Sequence, residues 1–340
     1  MTPSTQSDKR TRRAVPARLK APASSAPSRR GLLPMLVLLR FANRKTRNSR
    51  ALRRVGVWAY ATALRANVFL PPPRVFLNGP GKSGTHLLSD CLSLLPRMIF
   101  SGRHFSLAEF TAPPSRPEDV HVQHTEPFVT LDEPALRRFI GRCRNGTFVT
   151  AHATYHPALH EMLRELQFRH VLLLRDPRDI AVSYVHYVMR ETHHHHHAYF
   201  AQSLASDDQR LMATIRGFSA IPGVEALAPI GTRLRGFVQW CEDPSVLVCR
   251  YEQLVGPRGG GSLDAQIREV RRIAEFVGRP IDESRALAVA DGMFSEKSLT
   301  FRKGGTGDWQ HHFGPDHRAA FKEAAGDVLV RLGYERGDRW

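Results

Sequence analysis

From residue 74 onward, short uninterrupted apolar runs alternate with stretches whose apolar residues recur at helical spacing. Val75-Phe76-Leu77, Thr147 to Ala151, Val171 to Leu174 and Ser245 to Cys249 are the runs, and each predicts a strand buried on both faces. Helical segments are predicted between and after them. Leu87 to Leu95 is the first and Ile180 to Met189 the third. Leu159, Met162, Leu163 and Leu166 place the second, and Ile267, Val270, Ile273, Ala274 and Val277 the fourth. Strands alternating with helices in this order predict an α/β fold, a single domain with a central parallel β-sheet flanked by helices. Segments 101–135 and 191–235 follow neither period and read as loops or lids.

Charge divides the chain in two. The formal net charge is +17. Residues 1–70 hold sixteen Lys and Arg against a single acid, Asp8, a net of +15, so the remaining 270 residues carry only +2. A basic total would suggest nucleic acid, but the excess lies in an appendage and the body is nearly neutral. The first thirty residues are rich in Ala, Pro, Ser, Arg and Lys and cannot bury a core. The apolar run from Gly31 to Leu39 is far shorter than the ~20 residues a bilayer span needs. Residues 1–70 therefore read as a basic, largely disordered leader with an amphipathic-helix candidate, suited to peripheral contact with anionic membrane. Pro71-Pro72-Pro73 is a stiff boundary, and residues 71–340 form the expected domain. Cys91, Cys143, Cys241 and Cys249 have no paired spacing and read as buried free thiols, as in a cytoplasmic protein.

Three segments carry phosphate-reading chemistry. Gly79-Pro80-Gly81-Lys82-Ser83-Gly84-Thr85 joins a strand to a helix, where free backbone N–H groups and the helix dipole attract an anion. Arg175-Asp176-Pro177-Arg178-Asp179, running on to Ser183, repeats that layout, and Arg302-Lys303-Gly304 lies far downstream. A triphosphate loop needs an earlier glycine where this chain has Phe76, so the loop is P-loop-like but shorter and suits one phosphate group. A P-loop kinase is the lesser alternative, since Asp176 sits in an Arg-flanked turn and no free Asp ends a strand to hold Mg²⁺. Two such loops and a distant Arg-Lys-Gly point to a nucleotide phosphorylated in more than one place.

These motifs, together with Arg250-Tyr251-Glu252 and Phe301 to Trp309, occur in the order found in the cytosolic-type sulfotransferases, which use 3′-phosphoadenosine 5′-phosphosulfate (PAPS). From about Arg74 to Tyr334 the chain resembles that family. The resemblance implies sulfuryl transfer to an acceptor hydroxyl or amine, with 3′,5′-ADP as the product and no metal. It implies that Lys82 stabilises the leaving phosphate while Ser83, Gly84 and Thr85 hold the 5′-phosphate. Arg175, Ser183, Arg302, Lys303 and Gly304 would then meet the 3′-phosphate, and Tyr251 and Phe294 the adenine. His152, twenty-three residues before Arg175, stands where the family places its general base. His104 and His124 are weaker candidates, and Glu109 is a fallback.

Several positions depart from the family pattern. Thr150 replaces a Lys two residues before the base, and Leu87 replaces an adenine-stacking aromatic. The residues after Asp308-Trp309 do not keep the family's dimer motif. Arg178 and Asp179 read as a surface pair at a helix start. His193 to His197 read as a mobile loop near the acceptor pocket. The acceptor class stays open among small molecules, sugars and lipids. A catalytically degenerate nucleotide-binding or membrane-docked scaffold is the non-enzymatic alternative.

Overall fold

The computed structural model describes residues 73–111, 130–294, 305–337 and 339–340. The leader, His124 and the Arg302-Lys303-Gly304 segment lie outside the described residues. Five strands form one parallel sheet: β1 (Arg74–Asn78), β2 (Ile99–Ser106), β3 (Thr147–His152), β4 (Phe168–Leu174) and β5 (Val246–Arg250). Their order is β2-β3-β1-β4-β5. Successive side chains of each inner strand enter opposite cores. Phe76, Val149, Ala151, Leu172 and Leu174 face one cluster, while Val75, Leu77, Phe148, Val171 and Leu173 face the other. Helices must cover both faces, because neither can meet water.

The crossovers are α1 (Thr85–Leu94), α2 (Glu133–Gly141), α3 (Pro157–Glu165) and α4 (Pro177–Arg190), followed by α5 (His197–Gln202), α6 (Asp207–Arg216) and α7 (Ile230–Glu242). After β5 come the short α8 (Tyr251–Leu254), α9 (Leu263–Phe276), α10 (Glu283–Met293) and α11 (Pro315–Arg331). The start of α4 is written in its sequence: the Asp176 side chain accepts from the Arg178 N–H, and Pro177 takes the first turn where its missing donor costs nothing. No helix among the described residues is long and apolar enough to cross a membrane.

The expected strands and helices are all present, but two segments differ from the reading as loops. Residues 99–106 form the edge strand β2, and a bulge between Phe100 and His104 blurs its alternation. Residues 191–235 hold α5, α6 and the start of α7, short helices whose apolar faces, among them Phe200, Leu211 and Ile215, fill in against α4 and α11. Segments this short give too few periods to be read. Three cysteines are buried and Cys241 is half-buried, all four as free thiols.

β1 lies between β3 and β4, so the chain leaves the sheet in opposite directions on its two sides. Such a reversal opens a crevice at the carboxyl ends of the strands. The Gly79–Thr85 turn, His152 and Arg175 emerge at the ends of β1, β3 and β4.

Candidate active site

The loop after β1 is held tightly. Lys82 has φ 71°, a left-handed conformation uncommon for a residue with a side chain. Gly84 has φ 93°, and a Cβ there would come within 2.4 Å of the Tyr251 ring. Only glycine fits. The Ser83 hydroxyl is buried with no hydrogen-bond partner among the described residues. An orphaned hydroxyl two residues before a helix start is suited to a phosphate oxygen.

Asn78, fully buried at the end of β1, ties that loop to the end of β3. Its amide donates to the Ala153 carbonyl at 2.8 Å, and its side-chain oxygen accepts from the Ala153 N–H at 3.0 Å. His152 is thereby brought beside the loop, and its Nδ1 lies 2.7 Å from the Gly79 carbonyl. A carbonyl can only accept, so Nδ1 carries the proton and Nε2 keeps the free lone pair. Burial, joined by His104, His86 and Lys82, outweighs the Gly79 bond and lowers the His152 pKa to about 4. The ring of His104 stands 5.0 Å from that of His152, edge to face, and its Nδ1 lies 3.0 Å from the Thr150 hydroxyl. Burial lowers the His104 pKa as well. Glu109 is turned elsewhere, accepting the Ser106 N–H at 2.8 Å.

The Lys82 ammonium sits 3.7 Å from the centroid of the Tyr187 ring. Burial, then Arg190 and Arg175, bring its pKa down to about 8. Arg175 ties the loop after β1 to Gly305. Its Nη1 donates to the Lys82 carbonyl at 3.3 Å and its Nη2 to the Gly305 carbonyl at 2.9 Å, while the guanidinium lies over Tyr251. Its Nε is buried without a partner among the described residues. Ser183 is half-buried in the second turn of α4. Phe294 lies at the end of α10, partly buried at the edge of the core cluster that includes Tyr251, with the Arg258 guanidinium above it.

Arg178 and Asp179 are not a surface pair. Both are buried, Arg178 at 3% and Asp179 at 1% exposure. The Arg178 guanidinium pairs bidentately with Asp176, meets Glu335 at 2.6 Å and lies against both the Trp309 and Trp340 rings. Asp179 accepts the Gly307 and Trp309 N–H groups at 2.8 and 2.9 Å. Asp179 directly, and Asp176 through Arg178 and Glu335, anchor the C-terminal segment against α4. Glu252 completes the support by accepting the Asp176 N–H at 2.8 Å. Asn78 and Tyr187 have no motif of their own in the chain, and only the fold marks them; Asp179 lies within the Arg175–Asp179 motif, but only the fold shows what it holds.

The histidine run also departs from the mobile-loop reading. It forms a turn leading into α5, with His196 buried, its Nδ1 2.7 Å from the Tyr184 hydroxyl and its Nε2 2.9 Å from the Glu225 carbonyl. His194, His195 and His196 bring ring nitrogens within 4.8 Å of one another, as a metal site would. Both nitrogens of His196 are already in use, so ligation there would break a buried bond.

A P-loop-like anion cradle, an imidazole with a free Nε2 and a lysine meet at the switch point of a parallel sheet. Together they define an α/β nucleotide-dependent group-transfer site. The family model for the sulfotransferase domain matches residues 72–333, and the chain belongs to that family. Among solved structures, the chain is similar to mouse sulfotransferase SULT7A1 complexed with PAP, at 18% identity and TM-score 0.50, covering 77% of this chain and 89% of that one. It is also similar to retinol dehydratase in complex with androsterone and inactive cofactor PAP, at 19% identity and TM-score 0.46, covering 77% and 82%. A sulfotransferase from Alicyclobacillus acidocaldarius matches at 19% identity and TM-score 0.41, covering 78% and 96%. No curated protein sequence matches the chain.

Proposed function

We propose that this sulfotransferase moves a sulfuryl group from PAPS to an acceptor hydroxyl or amine by in-line displacement. The observation that carries the reading is the placement of His152 on the Gly79 carbonyl, on the same loop that presents Lys82. The acceptor atom attacks sulfur, the bond from sulfur to the 5′-phosphate oxygen breaks, and 3′,5′-ADP leaves. The acceptor proton passes to Nε2 of His152, the one ring nitrogen with a lone pair. Negative charge grows on the departing phosphate, where the Lys82 ammonium stabilises it. The Ser83 hydroxyl and the Arg175 Nε supply unused donors to the two ends of the nucleotide, and the Tyr251 ring shapes the space between them. Bound PAPS is strongly anionic and raises the pKa of both His152 and Lys82, making the imidazole a better base than in the empty site.

A second reading, nucleotide binding without transfer, is favoured by Thr150, whose hydroxyl is taken up by His104 in place of a cation. Two measurements separate the readings. Calorimetry with 3′,5′-ADP tests the nucleotide site, and incubation with labelled PAPS and a broad acceptor panel tests transfer. Binding with no labelled product would support the scaffold, and absence of binding would remove both. Residues 1–70 would add peripheral membrane contact to a cytoplasmic domain. Sedimentation with anionic vesicles, with and without the leader, tests that.

A further inference from the structure

A further cation, on the helix beside the end of β3, has no acid paired with it among the described residues. Arg233 lies in the first turn of α7, and its Nη2 donates to the Thr214 carbonyl at 2.9 Å. Its Nε is buried without a partner, and its guanidinium carbon lies 5.3 Å from the centroid of the Tyr184 ring. Among the described residues no carboxylate pairs with it, and the Glu225 carboxylate turns toward His195. Nη1 is the corner of the fork that stays open. Burial pushes the Arg233 pKa down to about 10, and only Tyr184 offsets this. A desolvated cation without a counter-charge costs several kcal/mol, so its retention needs a reason.

Its position suggests one. Three residues along the same face of α7, Gly236 packs on Thr154 so closely that a Cβ would meet the Thr154 methyl at 2.5 Å, and its carbonyl accepts the Tyr155 N–H. Thr154 lies two residues beyond His152. On the other side, the Tyr184 ring lies 5.8 Å from that of His194, which lies 5.4 Å from that of Tyr187, the ring under Lys82. The helix that carries Arg233 thus adjoins the end of the His152 strand, and a chain of rings, Tyr184, His194 and Tyr187, runs from the guanidinium to Lys82. Arg175, which faces the nucleotide, is held instead by Tyr251 and Gly305. The histidines between them supply no anion. His194 and His196 have pKa values lowered to about 4, chiefly by burial, and are neutral at pH 7.

We infer that Arg233 is an anion receptor on the acceptor side, so that the acceptor bears an oxyanion (carboxylate, sulfate or phosphate) besides the hydroxyl or amine that receives the sulfuryl group. A planar fork with one free corner and a buried Nε suits such a group better than a neutral one. The inference rests on the sulfotransferase reading.

The test uses the full chain saturated with 3′,5′-ADP. Calorimetry would compare ω-(4-hydroxyphenyl)alkyl carboxylates, sulfonates and phosphonates, over a range of chain lengths, with neutral alkylphenols of equal length. At one length or more, an anion should bind at least tenfold more tightly than its neutral partner. Arg233→Met should erase that preference, and Arg233→Lys should keep part of it. In the absence of any anion, Arg233→Met should also melt at a higher temperature, because an uncompensated buried charge is gone. An arginine that merely props the fold would give a lower one. Should Arg233→Met fail to fold, Arg233→Gln in the same titration decides. No preference at any length, or a preference that survives loss of the guanidinium, overturns the inference. Failure of the wild-type chain to bind 3′,5′-ADP would instead sink the underlying sulfotransferase reading.

Discussion

The Lys82 ammonium rests 3.7 Å from the centroid of the Tyr187 ring, a contact between the loop after β1 and the third turn of α4. The ring fixes a flexible side chain and keeps water from it, which is why burial dominates the fall of the Lys82 pKa to about 8. The lysine enters the site preorganised rather than swinging in from solvent.

Removing each partner separates charge from positioning. Lys82→Met should lower turnover about 10²–10³-fold, the range for loss of a preorganised group at a developing oxyanion. Tyr187→Leu keeps the bulk but loses the cation–π contact, worth ~0.5–2 kcal/mol, and should cost roughly two- to thirtyfold. Initial rates at saturating PAPS read both effects. An unchanged rate in Tyr187→Leu would show that the ring does not position the lysine.

The pH profile follows from two groups of opposite requirement. His152 must be neutral to accept a proton, and its pKa is lowered to about 4 by burial first. Lys82 must be charged, and its pKa is lowered to about 8 by burial first. The kcat/KM for PAPS should therefore rise with pH through the first value and fall through the second. A bell in kcat/KM, which reports the free enzyme, is expected between these limbs. Lys82→Arg should lose the alkaline limb even as its rate falls, because a guanidinium stays charged. An alkaline limb that persists in that variant assigns it to another group.

On the proposed reading, Asp179 supports the nucleotide site through the backbone it holds. Asp179→Ala frees the Gly307 and Trp309 N–H groups, and the segment carrying residues 302–304 loses its anchor. Bonds to a charged acceptor contribute about 1.5–3 kcal/mol each, so 3′,5′-ADP affinity should fall at least tenfold. Calorimetry checks the affinity and circular dichroism the fold. Wild-type affinity in a folded Asp179→Ala protein would refute the anchor.

His170 makes stability sensitive to acid. It is 5% exposed, lies between the Phe76 and Trp240 rings, and neither ring nitrogen has a partner among the described residues. Burial drives its pKa from the usual 6.5 down to about 3. Between these values the unfolded chain binds a proton that the native one refuses. The stability present above the unfolded value is lost as pH falls through that window, by up to ~1.4 kcal/mol per pH unit. His170→Phe should narrow the gap between urea midpoints at pH 7 and pH 5. Equal gaps in the two proteins would exclude His170 as the source.

The sequence by itself determined the α/β layout and marked three candidate anion-reading segments. Continuous Val, Leu and Phe runs can only be strands covered on both faces, and a glycine turn between strand and helix exposes N–H groups whatever the rest of the chain does. The place of His152 at the end of a strand is legible in the sequence too. The tertiary structure alone decided which residues stand beside these groups. Tyr187 under Lys82, Asn78 between two strand ends and Asp179 beneath Gly307 are contacts between elements distant in the chain, set by helix rotation and strand order. It also turned Arg178 and Asp179 inward and brought the histidine run against Tyr184. Local sequence records propensity and spacing. Burial and the pairing of charges arise only when the two faces of the sheet close.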